Sequence, residues 1–89
     1  METIYTIVGI LENIGEPTLV HLIGSYHSLE SARKGLEIHI KDTFKSIIPE
    51  DELEIFIEDG YTSKNNWGYA DYDNDIVSVF EIIQCELKD

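Results

Sequence analysis

From Ile23 to Ile48 the chain reads IGSYHSLESARKGLEIHIKDTFKSII, and its local signals agree on a strand end that runs directly into a helix. Ser28 is the N-cap candidate, because its hydroxyl can accept from a backbone N–H of the first turn, and Glu30 puts negative charge at the positive end of the helix dipole. The helix then starts at Leu29. Ala32, Leu36, Ile40, Phe44 and Ile47 recur at spacings of three and four and form an apolar stripe, while Arg33, Lys34, Glu37, Lys41 and Lys45 fall mostly outside it. Glu37 precedes Lys41 by one turn, the favourable order for an ion pair. Pro49 disfavours helical backbone at Ile48, so the helix is expected over residues 29–47. Gly35 within it costs roughly 1 kcal/mol relative to alanine and points to close approach of a strand.

Strand signals flank this helix. Thr3 to Glu12 (TIYTIVGILE) and Thr18 to Tyr26 (TLVHLIGSY) are rich in β-branched and aromatic residues. Asn13 to Pro17 between them supplies turn residues for an antiparallel hairpin. Leu53 to Glu58 (LEIFIE) alternates apolar and charged positions, and Ile76 to Leu87 (IVSVFEIIQCEL) reads as a long pairing strand. The expected fold is α+β: a two-layer β-β-α-β-β domain over residues 1–89, with a mostly antiparallel four-stranded sheet and one helix on one face. The first strand carries bulky residues on both sides, Ile4, Val8 and Ile10 on one and Tyr5, Ile7 and Leu11 on the other. One helix covers one face only. The second face therefore calls for a cover, either the Gly60 to Asp75 loop folded back or a second copy of the chain.

Gly24, Tyr26, Ser28, Glu30 and Ala32 fall in a pattern of strand-end glycine, aromatic, helix cap and Glu-x-Ala. In this the first half resembles a group of small uncharacterised bacterial and phage proteins. The resemblance covers roughly a third of the chain, is of the kind any strand-to-capped-helix junction shares, and implies the order of elements without an activity.

Charge is the most unusual global property: eighteen acidic residues stand against six Lys and Arg, for a net −12. The first 28 residues carry −3, residues 29–49 carry +1 and residues 50–89 carry −10. Such a chain is repelled by nucleic acid and anionic membrane and attracted to basic protein surfaces. With 43% hydrophobic residues it nevertheless has the composition of a folded domain. A lone Cys85 forms no internal disulfide, and the N-terminal apolar run is too short and alternating for a signal peptide or membrane span, so a cytoplasmic protein is expected.

No pattern of catalysis stands out. Asp71, Asp73 and Asp75 have the spacing of the first ligands of a calcium loop, but Ile76 and Ile82 occupy the positions where that loop needs its glycine and its bidentate glutamate. His21, His27, His39 and Cys85 lack the paired spacing of a zinc site. Ser25 and Ser28 are explained by the turn and the cap, and no glycine-rich phosphate loop occurs. The chain is therefore expected to be no enzyme and to need no metal or cofactor. The expected function is that of a small acidic module binding a protein partner with a basic surface, in the manner of a phage-type inhibitor or nucleic-acid (DNA) mimic. Its candidate anchors are Trp67, Tyr69 and Tyr72, with Asp71, Asp73, Asp75, Glu54 and Glu58 supplying the field. The alternatives are an accessory homo-oligomer, such as a homodimer, built on the uncovered sheet face, or a small-ligand binding domain.

Overall fold

Two twelve-residue strands rich in Ile, Val and Thr form the spine of the protein, β1 (Glu2–Asn13) and β5 (Ile76–Leu87). The computed structural model describes residues 2–13, 19–71, 73 and 76–87. The spine strands pair antiparallel along their whole length, from Glu2 opposite Leu87 to Asn13 opposite Ile76. β2 (Leu19–Tyr26) adds to the outside of β1, and β4 (Asn66–Asp71) and β3 (Tyr61–Ser63) add to the other side of β5. The result is a five-stranded antiparallel sheet in the order β2-β1-β5-β4-β3. A bulge in the β1–β2 ladder, where Ile7 meets Gly24 but Val8 meets Leu22, leaves Ile23 as the extra residue.

Helix α1 (Leu29–Phe44) starts where the cap predicts: the Ser31 N–H donates to Ser28 Oγ over 3.1 Å. It buries Ala32, Leu36, Ile40 and Phe44 against the sheet. It stops one turn short of the expected end. The N–H groups of Ile47 and Ile48 both donate to the Phe44 carbonyl, closing a turn that leaves Ile47 exposed rather than on the packed stripe.

The segment expected to be a third strand is a helix. A single 3₁₀ turn at Glu50–Glu52 leads into α2 (Leu53–Gly60), which buries Leu53 and Ile57. LEIFIE satisfies both periods, but the strand reading places Phe56 among the charges and Ile55 inside. As a helix, Leu53, Phe56 and Ile57 share one side, and Phe56 packs between Phe44 and Trp67. The stretch expected to be a loop from Gly60 to Asp75 instead contributes the last residue of α2 and the β3–β4 hairpin, turning at Lys64 and Asn65.

Both helices lie on one face of the sheet and share one core, in which Ile7, Leu36, Ile40, Trp67 and Phe80 are fully or nearly fully buried. The smallest of the three principal extents, 47 × 32 × 20 Å, is the thickness of a sheet and one helix layer.

Two helical glycines sit where a side chain has no room. A Cβ on Gly35 would overlap the Tyr26 ring at the end of β2, and one on Gly60 would overlap the Trp67 indole. Tyr26 is half-buried and can swing, whereas Trp67 is enclosed. Gly35→Ala is therefore expected to be near neutral, the helix-propensity gain of roughly 1 kcal/mol offsetting the displaced ring. Gly60→Ala is expected to cost about 1 to 3 kcal/mol through overpacking. Urea midpoints of the two variants compare them directly, and equal midpoints would mean that Trp67 yields as easily as Tyr26.

Candidate functional site

The outer side of α2 gathers charge without neutralising it. Glu54, Ile55, Glu58 and Asp59 are exposed, with Ile55 at 63% exposure in the middle of the acids. Glu50, Asp51 and Glu52 in the preceding turn are exposed as well. Among the described residues the ion pairs are Glu2 with His27 and Asp42 with Lys45, so none of these six acids has a cationic partner. Acids at the start of a helix suit its dipole, but the last turn of α2 carries Glu58 and Asp59 and no basic residue. Glu54 and Glu58, one turn apart, also repel. Local stability does not explain this arrangement.

Grooves border the acidic face. Ile38 and Lys41 of α1 and Lys45 just after it line one of about 770 Å³ together with Glu50, Asp51 and Glu54. Lys45 Nζ donates to Asp42 Oδ1 over 2.9 Å, which holds the Asp42 carboxyl below the usual carboxylate range. In the second groove Arg33 stacks its guanidinium 4.6 Å from the centre of the Tyr61 ring, and Tyr61 donates to Glu37 Oε1 over 3.4 Å. Burial pushes the Tyr61 hydroxyl up from its ordinary pKa, with Arg33 opposing the shift.

The expected anchors are placed quite differently. Trp67 is a core residue at 0% exposure, and its Nε1 donates to the Ile57 carbonyl over 2.7 Å. That carbonyl belongs to the last turn of α2, so a strand residue satisfies a helix-end acceptor. A ring enclosed in this way offers a partner no surface. Tyr69 is half-buried with its ring against Phe44 and Phe56. Its hydroxyl donates to Asp71 Oδ2 over 3.4 Å, and burial followed by the Asp71 charge raises its pKa. Asp71 Oδ1 accepts from the Asp73 N–H over 3.2 Å, so this carboxylate organises the strand end, while Asp73 is exposed in the turn. Tyr72 and Asp75 lie outside the described residues. Of the expected site residues that are described, only Glu54 and Glu58 stand together on one exposed surface, and Ile55 between them was missed because the strand reading turned it inward.

Among the described residues no helix lies on the other face of the sheet. Alternation along the paired strands puts Ile4, Val8 and Ile10 of β1 there, beside Leu22 and Val20 of β2 and Val79 and Ile83 of β5. Leu22 is 79% exposed and Val20 65%. The β3–β4 hairpin extends the sheet sideways and turns Trp67 and Tyr69 to the helix side, so it does not fold back over this face. For a small ligand, a cleft of about 440 Å³ opens between α1 and the first strands, lined by His21, Ile23, His39 and Phe80.

No family model, curated protein or solved structure matches the chain. Among the described residues no group of three or more His, Cys, Asp or Glu is placed to hold a metal ion, and no helix is long and apolar enough to cross a membrane.

Proposed function

We propose that the chain is a non-catalytic protein-binding module that seats the outer side of α2 on a basic surface of a partner protein. The observation that carries this reading is the exposed Ile55 ringed by Glu54, Glu58 and Asp59, acids that have no ion pair among the described residues. An apolar contact inside a charged rim is the anatomy of a specific interface. The field favours a positively charged groove of the kind that takes nucleic acid, and a chain occupying that groove would act as an inhibitor in the manner of phage-type nucleic-acid mimics.

The test uses a Glu54→Gln, Ile55→Ser, Glu58→Gln variant. All three side chains are exposed, so the fold is expected to hold within about 0.5 kcal/mol per position. Wild type immobilised in a cell lysate should retain a nucleic-acid-binding protein at low salt and release it at high salt. With that protein purified, the variant should bind it about tenfold or more weakly, and nucleic acid should compete with the wild type. Identical capture by wild type and variant, indifferent to salt, would sink the reading.

A further inference from the structure

The open sheet face differs from the helix side in chemistry. Leu22, Val8 and Glu81 form one row across three strands, and Val20, Ile10 and Val79 form the next. Glu81 is the acid nearest the middle of this surface, with Val8 of β1 and Asn66 of β4 as its cross-strand neighbours. A chain of net charge −12 thus presents one broad surface that is mostly aliphatic.

We infer that this face is an interface between two copies of the chain, stacked sheet on sheet about a two-fold axis. The first support is area. β2, β1, β5 and β4 have 8, 12, 12 and 6 residues. At a rise of about 3.3 Å and a spacing of about 4.8 Å they present roughly 600 Å² in projection. Two copies bury about 1,200 Å², the lower bound of stable, specific interfaces, before side-chain relief is added. The second support is shape, because two sheets of the same twist pack face to face at about 10 Å with their strands roughly 30° apart. The third is charge. A basic partner would find Glu81 and, at the end of β1, Glu2 to pair with here, whereas a second copy brings a matching, mostly aliphatic surface. Stacking through this face also sends the two acidic helical sides outward. Each copy is 20 Å thick. The acidic surfaces then stand about 40 Å apart, several Debye lengths at physiological salt, whereas a helix-side dimer would press them together.

Sedimentation equilibrium at high micromolar concentration is expected to give twice the 10.2 kDa chain mass. Added salt should leave the dimer intact or tighten it by screening the mutual repulsion. A Leu22→Lys, Val79→Lys variant should dimerise about a hundredfold more weakly, although it lowers the net negative charge. Leu22→Lys alone, at the most exposed position, guards against loss of the fold, and a far-UV circular dichroism spectrum like that of the wild type checks it. The Glu54, Ile55, Glu58 variant should keep the dimer mass, which separates this inference from the acidic-face reading. A wild-type mass of one chain at that concentration, dissociation by salt, or folded lysine variants that remain dimeric would overturn it.

Discussion

A Trp67→Ala chain is expected to lose about 3 to 5 kcal/mol of unfolding free energy, and up to a few more from the acceptor it orphans. A domain of this length has a margin of only about 4 to 13 kcal/mol, so much of the population could unfold. Two losses combine. The indole fills the space between α2 and the sheet, touching Phe44, Phe56 and Phe80, and its N–H satisfies the Ile57 carbonyl. Trp67→Phe separates them by keeping most of the ring while removing the donor, and it should cost about 1 to 3 kcal/mol. Urea unfolding followed by far-UV circular dichroism measures both, since fluorescence leaves with the only tryptophan. A Trp67→Ala midpoint equal to wild type would show that the indole does not hold α2 in place.

Phe44→Ala should be nearly as damaging, at about 3 to 5 kcal/mol. Phe44 ends α1, and its ring lies 5.0 Å from Phe56, 5.3 Å from Tyr69 and 5.9 Å from Trp67, centre to centre. It is the point where both helices and β4 meet. Because Phe44 and Trp67 share neighbours, their effects should not add, and a double-mutant cycle is expected to give a coupling of about 0.5 to 3 kcal/mol. A loss below about 1 kcal/mol for Phe44→Ala would place the ring outside the core.

What could be read from the sequence follows from how much each segment depends on distant partners. The cap at Ser28 and the four-residue spacing of Ala32, Leu36, Ile40 and Phe44 are local facts, so α1 was legible to within a turn. β1, β2 and β5 were legible through their β-branched content. LEIFIE was not, because six residues fit a two-residue and a 3.6-residue period alike. The tie is broken by aromatic rings arriving from α1 and β4. The β3–β4 hairpin was hidden by its Lys-Asn turn, which lacks the glycine that usually marks one. Trp67 drew attention as an anchor because a tryptophan suits an interface and a core equally well. Only the alternation that places it opposite Phe80 tells which. The two-sided apolar pattern of β1 was visible from the start. Learning that nothing in the described chain covers its outer side required knowing where residues 61–71 go.

The pairing of β1 with β5 also sets the order of events in time. Ile7 stands in the ladder opposite a strand whose matching residue, Ile82, comes 75 positions later. During synthesis β1 and β2 can form their hairpin early, but the centre of the sheet stays empty until β5 leaves the ribosome. Such non-local closure slows folding relative to a chain held by local contacts. Through that interval the hairpin shows aliphatic side chains on both sides and an unpaired β1 edge, a surface on which neighbouring nascent chains can join strand to strand.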